Sequence, residues 1–110
     1  MAVCGVGCVS IEPSFASAEP AARNAAALEA VGKKDQRAVP ELIGMLESDD
    51  PATRLIAVQS LERLTGERRG FEAYGTDRER AEAVARWVEW WNGEGRKTEE
   101  GLGSGGGAKR

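Results

Sequence analysis

The side chains that most often run chemistry at neutral pH are scarce in this 110-residue chain. There is no histidine, so the commonest general base near pH 7 and the commonest metal ligand are both missing. The two cysteines, Cys4 and Cys8, form no Cys-x-x-Cys, and with no second pair they do not compose a zinc or redox site. A disulfide closing so short a loop would stabilise almost nothing. Asp49 and Asp50 are adjacent carboxylates, a pattern open to acid-base work or to calcium. Pro51 follows them at once, and an Asp ahead of a helix-opening Pro is a capping arrangement. Gly101 to Gly106 matches the glycine-rich dinucleotide loop letter for letter, but no strand precedes it and no helix follows, so its backbone cannot cradle a pyrophosphate. These residues predict no catalysis, no metal, no cofactor and no small-molecule substrate.

The remaining residues with binding potential are aromatic. Trp87, Trp90 and Trp91 concentrate contact area in one segment, with Phe71 and Tyr74 on the loop before it. Trp87 and Trp91 suit the core, because a small domain needs its large apolar side chains inside. On a helical wheel Trp90 points nearly opposite Val88, so it either packs under Phe71 and Tyr74 or stands out as a binding anchor. The candidate binding residues are therefore Trp90, Phe71, Tyr74 and Trp87. Arg68 and Arg69 add a small positive spot, outweighed by the net charge of -3. With 15 basic against 18 acidic residues, a sequence-independent grip on nucleic acid is not expected.

Helices must position these groups, since apolar residues recur at helical spacing and no segment sustains alternation. The expected fold is all-α with about four helices. The first starts near Pro20, buries Ala21, Ala25, Leu28 and Val31, and stops at Gly32, with Lys33 and Lys34 where the dipole favours cations. Asp35 caps a second helix with the face Val39, Leu42, Ile43 and Leu46, and Pro40 tightens its first turn. Asp50-Pro51 opens a third helix to Leu64, closed by Gly66; its apolar arc is wide enough to be squeezed between layers. After a loop from Glu67 to Gly75, Thr76 and Glu79 form a capping box for a fourth helix. Its expected buried stripe is Ala81, Val84, Ala85, Val88 and Trp91, with Trp87 at the edge. The alternating charges Asp77, Arg78, Glu79, Arg80, Glu82 and Arg86 mark its solvated face. Residues 1–18 read as an apolar stub and linker, 19–92 as the folded domain, and 93–110 as a flexible Gly-rich tail.

Two resemblances add to this reading. Sliding the chain by 33 residues lays Ala25, Leu28 and Val31 on Val58, Leu61 and Leu64, a spacing typical of solenoids. The segment Asp35 to Gly66, with its Ala38-Val39-Pro40-x-Leu42 start, Asp49-Asp50-Pro51 turn, Arg54 and the Ala57, Leu61 spacing, resembles a HEAT repeat of the short bacterial, phycobilin-lyase-like kind. The resemblance implies a short α-solenoid of stacked helical hairpins, with the tryptophan-rich helix as a departing cap, and a scaffold that binds proteins rather than an enzyme. Within it, Arg54 is expected to pair with Asp50 or with the turn of a neighbouring hairpin. Some relatives attach or isomerise bilins, which leaves an accessory lyase-like protein as the alternative. Gly5-Val6-Gly7-Cys8-Val9-Ser10 resembles the end of a bacterial lipoprotein signal, with Gly5 where Leu is usual. This implies a lipid on Cys8 and a place in the bacterial envelope; otherwise the segment is a plain apolar stub and the protein is cytoplasmic. The nine apolar residues Met1 to Val9 fall far short of the roughly 20 that span a bilayer.

Roughly 75 ordered residues is a size at which burial and chain entropy nearly cancel, and solenoid units usually need about three repeats. A protein partner or self-association through the alanine-rich first helix is the expected remedy.

Overall fold

The computed structural model describes residues 12–96. Over these the chain is helical without strands: α1 (Pro20–Lys33), a 3-10 turn (Gln36–Ala38), α2 (Val39–Met45), α3 (Pro51–Thr65), α4 (Asp77–Trp90) and one π-helical turn (Trp91–Gly95). The starts follow from local chemistry. Pro20 and Pro51 occupy first-turn positions, where the missing N–H is not needed. The Asp50 carboxylate accepts from the Ala52 N–H at 3.0 Å and from the Thr53 hydroxyl at 3.1 Å. Thr76 and Glu79 satisfy each other's backbone N–H groups at 3.0 Å. Asp35 caps the 3-10 turn, accepting from the Arg37 N–H at 3.0 Å, and α2 follows with Pro40 in its first turn.

The helix ends differ from expectation in two places: Asp35 caps the 3-10 turn and not α2, whose N-cap is Ala38 with no side-chain cap, and α1 does not stop at Gly32. Gly66 closes α3 at φ 84°, but α1 runs past Gly32 and is closed by Lys34 at φ 54°. A Cβ-bearing residue in this left-handed conformation costs about 1 kcal/mol relative to glycine.

Two of the expected helical faces are rotated. In α1 the buried residues are Ala22, Ala26, Ala27 and Ala30, whereas Ala21 is exposed, Ala25 and Val31 are half-buried and Leu28 is 62% exposed. α1 lies along α3, which itself buries Ala57 and Ser60; small side chains let two backbones approach where a leucine would hold them apart. In α4 the buried residues are Ala83, Val84 and Trp87, while Ala81, Ala85 and Val88 face solvent and Trp91 is half-buried. Trp87 is fully buried rather than at the edge. Covering one indole removes more apolar surface from water than covering two alanines, so the tryptophan sets the rotation of α4.

α1 and α2 both pack along α3, and α4 meets α2. The core lies among them, with Val39, Leu42, Leu46, Val58, Leu61, Phe71 and Trp87 fully buried. Hydrogen bonds fix the directions. Gln36 donates to the Leu64 carbonyl at 2.7 Å, so the end of α1 sits beside the end of α3. Arg54, in the second turn of α3, donates through Nε to Ala73 O and through Nη1 to Ser48 O, each at 2.9 Å. At the other end of α3, Arg68 pairs with Glu62 at 3.1 Å and Trp87 Nε1 donates to Arg68 O at 3.0 Å. The segment 67–75 therefore returns along α3, and α4 runs in the same sense as α3. Arg54 bonds main-chain carbonyls, not the Asp50 carboxylate, which is engaged in capping.

The N-terminal linker is partly fastened. The Ser14 N–H donates to Ala22 O at 3.1 Å, and Phe15 packs against the core. Arg54 is the larger commitment, a buried guanidinium joining two separate backbone segments. Arg54→Met keeps comparable bulk but strips both carbonyls of their charged donor, so urea unfolding should show a loss of about 3 kcal/mol.

Candidate interaction surface

The expected aromatic site is divided by the fold. Phe71 and Trp87 are fully buried, so they support the surface rather than form it. Trp90 and Trp91 are half-buried against the core, and Tyr74 is 72% exposed at the far end of the loop. Trp87 and Trp90 meet edge to face with centroids 5.6 Å apart, and Trp91 lies tilted 6.2 Å from Trp90. Trp90 thus packs inward, but onto Trp87 and an arginine rather than under Tyr74.

That arginine is Arg69. Its guanidinium carbon lies 4.4 Å from the Trp90 centroid and 5.2 Å from that of Trp87, within reach of the attraction between a cation and the negative face of an aromatic ring. Two consecutive left-handed residues, Arg69 at φ 52° and Gly70 at φ 77°, fold the loop so that this is possible. Arg86 Nε donates to Arg69 O at 2.9 Å, and Arg86 Nη2 stands 2.6 Å from where a Gly70 Cβ would be. Spacing alone places Arg69 on a positive spot; the closeness of a loop to a helix 18 residues later leaves no local signal. The cluster is a built, cross-braced end of the domain with little surface to offer a ligand.

The surface left open is on the opposite helices. Leu28, Val31 and Ile56 border a groove of ≈ 170 Å³ between α1 and α3, with Gln59, Ser60 and Arg63. Val31 and Arg63 continue into a second depression with Lys34, Gln36 and Leu64. The floor is apolar and the end is cationic. Sequence reasoning expected association through α1 but gave it an alanine lining, because it assigned Leu28 to the core; Ala22, Ala26 and Ala30 fit helical spacing equally well and are the residues buried.

Comparison with protein-family models, with curated proteins and with solved structures gives no match. Among the described residues no group of three or more His, Cys, Asp or Glu could hold a metal ion. No helix among them is long and apolar enough to cross a membrane. Cys8, the candidate lipid-bearing residue, lies outside the described residues.

The tryptophan end depends on a missing side chain. Gly95 is buried in the π-helical turn, and a Cβ there would come 2.6 Å from Trp91 and 2.7 Å from Trp90. Gly95→Ala should push the indoles apart, costing about 2 kcal/mol, with a weakened near-ultraviolet tryptophan circular dichroism signal as the direct readout.

Proposed function

We propose that this chain is a non-catalytic protein-contact module of helical-repeat type, working through the face shared by α1 and α3. The observation that carries the reading is the position of Leu28, 62% exposed at mid-helix beside half-buried Val31 and Ile56. A domain this small rarely leaves a leucine in water next to other apolar side chains unless something covers them. The Asp50-Pro51 turn and buried Arg54 support a repeat-like hairpin of α2 and α3, with α1 as the trailing helix of a preceding unit. α4 departs from that scheme, because the 67–75 return makes it run with α3 instead of against it. The tryptophan cluster then acts as a closing end rather than as a binding site, and the open side is where association is expected. A lipid on Cys8 would hold the module at a bacterial membrane.

A photo-crosslinking residue in place of Leu28, introduced in cells that make the protein, tests this. Protein adducts are expected from position 28 and not from Ala81 on the exposed side of α4. Equal yields from both positions, or none from either, would remove the reading.

A further inference from the structure

We infer that the α1–α3 groove takes a short extended peptide of another protein. Its backbone bonds the Asn24 amide, an aliphatic side chain lies against Leu28, and a carboxylate about three residues further on meets Lys34 and Arg63. The inference rests on the contact reading above and names the chemistry of the partner. Three observations carry it.

First, the groove ends in two cations that nothing in the described domain satisfies. Lys34 and Arg63 border the depression that continues from the apolar floor, and both are exposed. Neither side chain has an ion-pair or hydrogen-bond partner among the described residues. Glu29, Asp35 and Glu62 lie close to them in the chain but pair with Lys33, Arg37 and Arg68, at 3.3, 3.1 and 3.1 Å. The cations do not cap the helix ends either. The Lys34 N–H closes on Ala30 O and Val31 O, the Gly66 N–H on Glu62 O and the Gln36 amide on Leu64 O, so neutral donors meet these terminal carbonyls. A helix pole of about half a charge does not offset a whole one, and a carboxylate is the complement of this end of the groove.

Second, an amide on the same line has no internal bond. Asn24 lies four residues before Leu28 and seven before Val31, within about 40° of both at about 100° per residue. Its Oδ1 is buried without a hydrogen-bond partner, and across the groove the exposed Gln59 side chain makes no hydrogen bond among the described residues. A carboxamide holds a donor and an acceptor side by side, as a peptide backbone does. An amide oxygen that makes no bond within the domain gives up none when it turns to accept from a peptide N–H.

Third, the dimensions suit a short segment. α1 rises about 15 Å from Asn24 to Lys34 and about 9 Å from Leu28 to Lys34. Extended chain at about 3.3 Å per residue covers those spans with about five and about three residues. Two helices each about 10 Å wide present about 300 Å² over that length, well below the about 800 Å² that each partner of a stable folded interface contributes. A face of this size fits a linear segment bound weakly and reversibly, and is too small for a folded domain or a second copy of this chain.

The test pans a phage-displayed random heptapeptide library on the whole chain, with Leu28→Asp protein as the counter-selection. That substitution alters an exposed position, so its helical circular dichroism should match wild type. Selected peptides should share an aliphatic residue followed about three residues later by Asp or Glu. A fluorescein-labelled synthetic copy of the leading peptide should bind with a dissociation constant on the order of 10 to 100 μM by anisotropy, weakening at high salt. Lys34→Glu with Arg63→Glu should weaken that binding at least about tenfold and should favour the same peptide with Lys in place of its acids. Asn24→Leu should weaken binding about fivefold while the thermal midpoint holds or rises, because a buried acceptor without a partner has been removed. No enrichment over Leu28→Asp protein, a consensus without acids, a charge reversal that leaves peptide preference unchanged, or an Asn24→Leu variant that binds like wild type would each overturn the proposal. Adducts from position 28 to a folded protein or to a second copy, with no peptide selected, would overturn it and leave the contact reading standing. The absence of any adduct would remove both.

Discussion

A guanidinium in the core organises this domain. Arg54 is buried, yet it is balanced by carbonyl oxygens of two segments remote in the chain, Ser48 before α3 and Ala73 in the return loop. A charge removed from water must be given strong acceptors in place. The chain meets that requirement only when the turn and the loop both lie against the second turn of α3. The consequence reaches well beyond the bonds themselves. Fixing Ala73 there fixes where α4 begins, and hence that α4 runs along α2 with its tryptophans at the opposite end. Thr53 completes the arrangement through its hydroxyl on Asp50, so capping and loop anchoring are contiguous. Apart from Thr53 and Ser60, the other buried side chains of the described residues are apolar and could tolerate small shifts; a carbonyl–guanidinium geometry near 2.9 Å cannot.

What the sequence made legible is what local rules govern. Pro20, Asp50-Pro51, Gly66 and the Thr76–Glu79 box mark helix ends through the backbone groups they satisfy, and each such end is found where those rules place it. The second helix was also legible, because Val39, Leu42, Ile43 and Leu46 are large while Pro40, Glu41 and Gly44 offer no competing apolar stripe, leaving one rotation that buries them all. α1 was not, for the opposite reason. It contains so many alanines that several rotations bury equal area, and the choice falls to how closely α3 can approach. α4 failed differently: Val84 belongs to both candidate stripes, and only the tertiary position of Trp87 decides between them. Arg54 was expected to have a partner in Asp50 or in a neighbouring turn, and the loop carbonyl, 19 residues away, carries no sequence mark.

The lining of the candidate surface was hidden by the same ambiguity. Reading α1 with Leu28 inside leaves an alanine-lined exterior; rotating it puts the alanines inside and the leucine out. The first arrangement would give a better covered leucine but a wider gap between α1 and α3. Close backbone approach gains dispersion contacts along a whole helix, which outweighs the burial of a single side chain worth about 2 kcal/mol. Exposure of Leu28 is therefore the price of tight packing beneath it, and it leaves apolar area that association can recover.

The two sides of the domain end in contrasting ways. Beside α4, Arg69 over two indoles, the π-helical turn and the close fit of Gly95 engage the tryptophans and their arginine in internal contacts. Beside α1, Lys34 and Arg63 have no ion-pair partner among the described residues and stand near an apolar groove. A chain with a net charge of -3 does not need free cations at that point for solubility, and acids nearby could have neutralised them, as Glu29 does for Lys33 at 3.3 Å. Leaving those two unneutralised costs little in water, since exposed ion pairs contribute about 0–1 kcal/mol. Their value rises when the groove is covered and the surrounding dielectric falls. Charges that matter little to the isolated domain thus gain weight only in an assembled state, which is the physical reason to look for function on this side of the molecule and not beside the tryptophans.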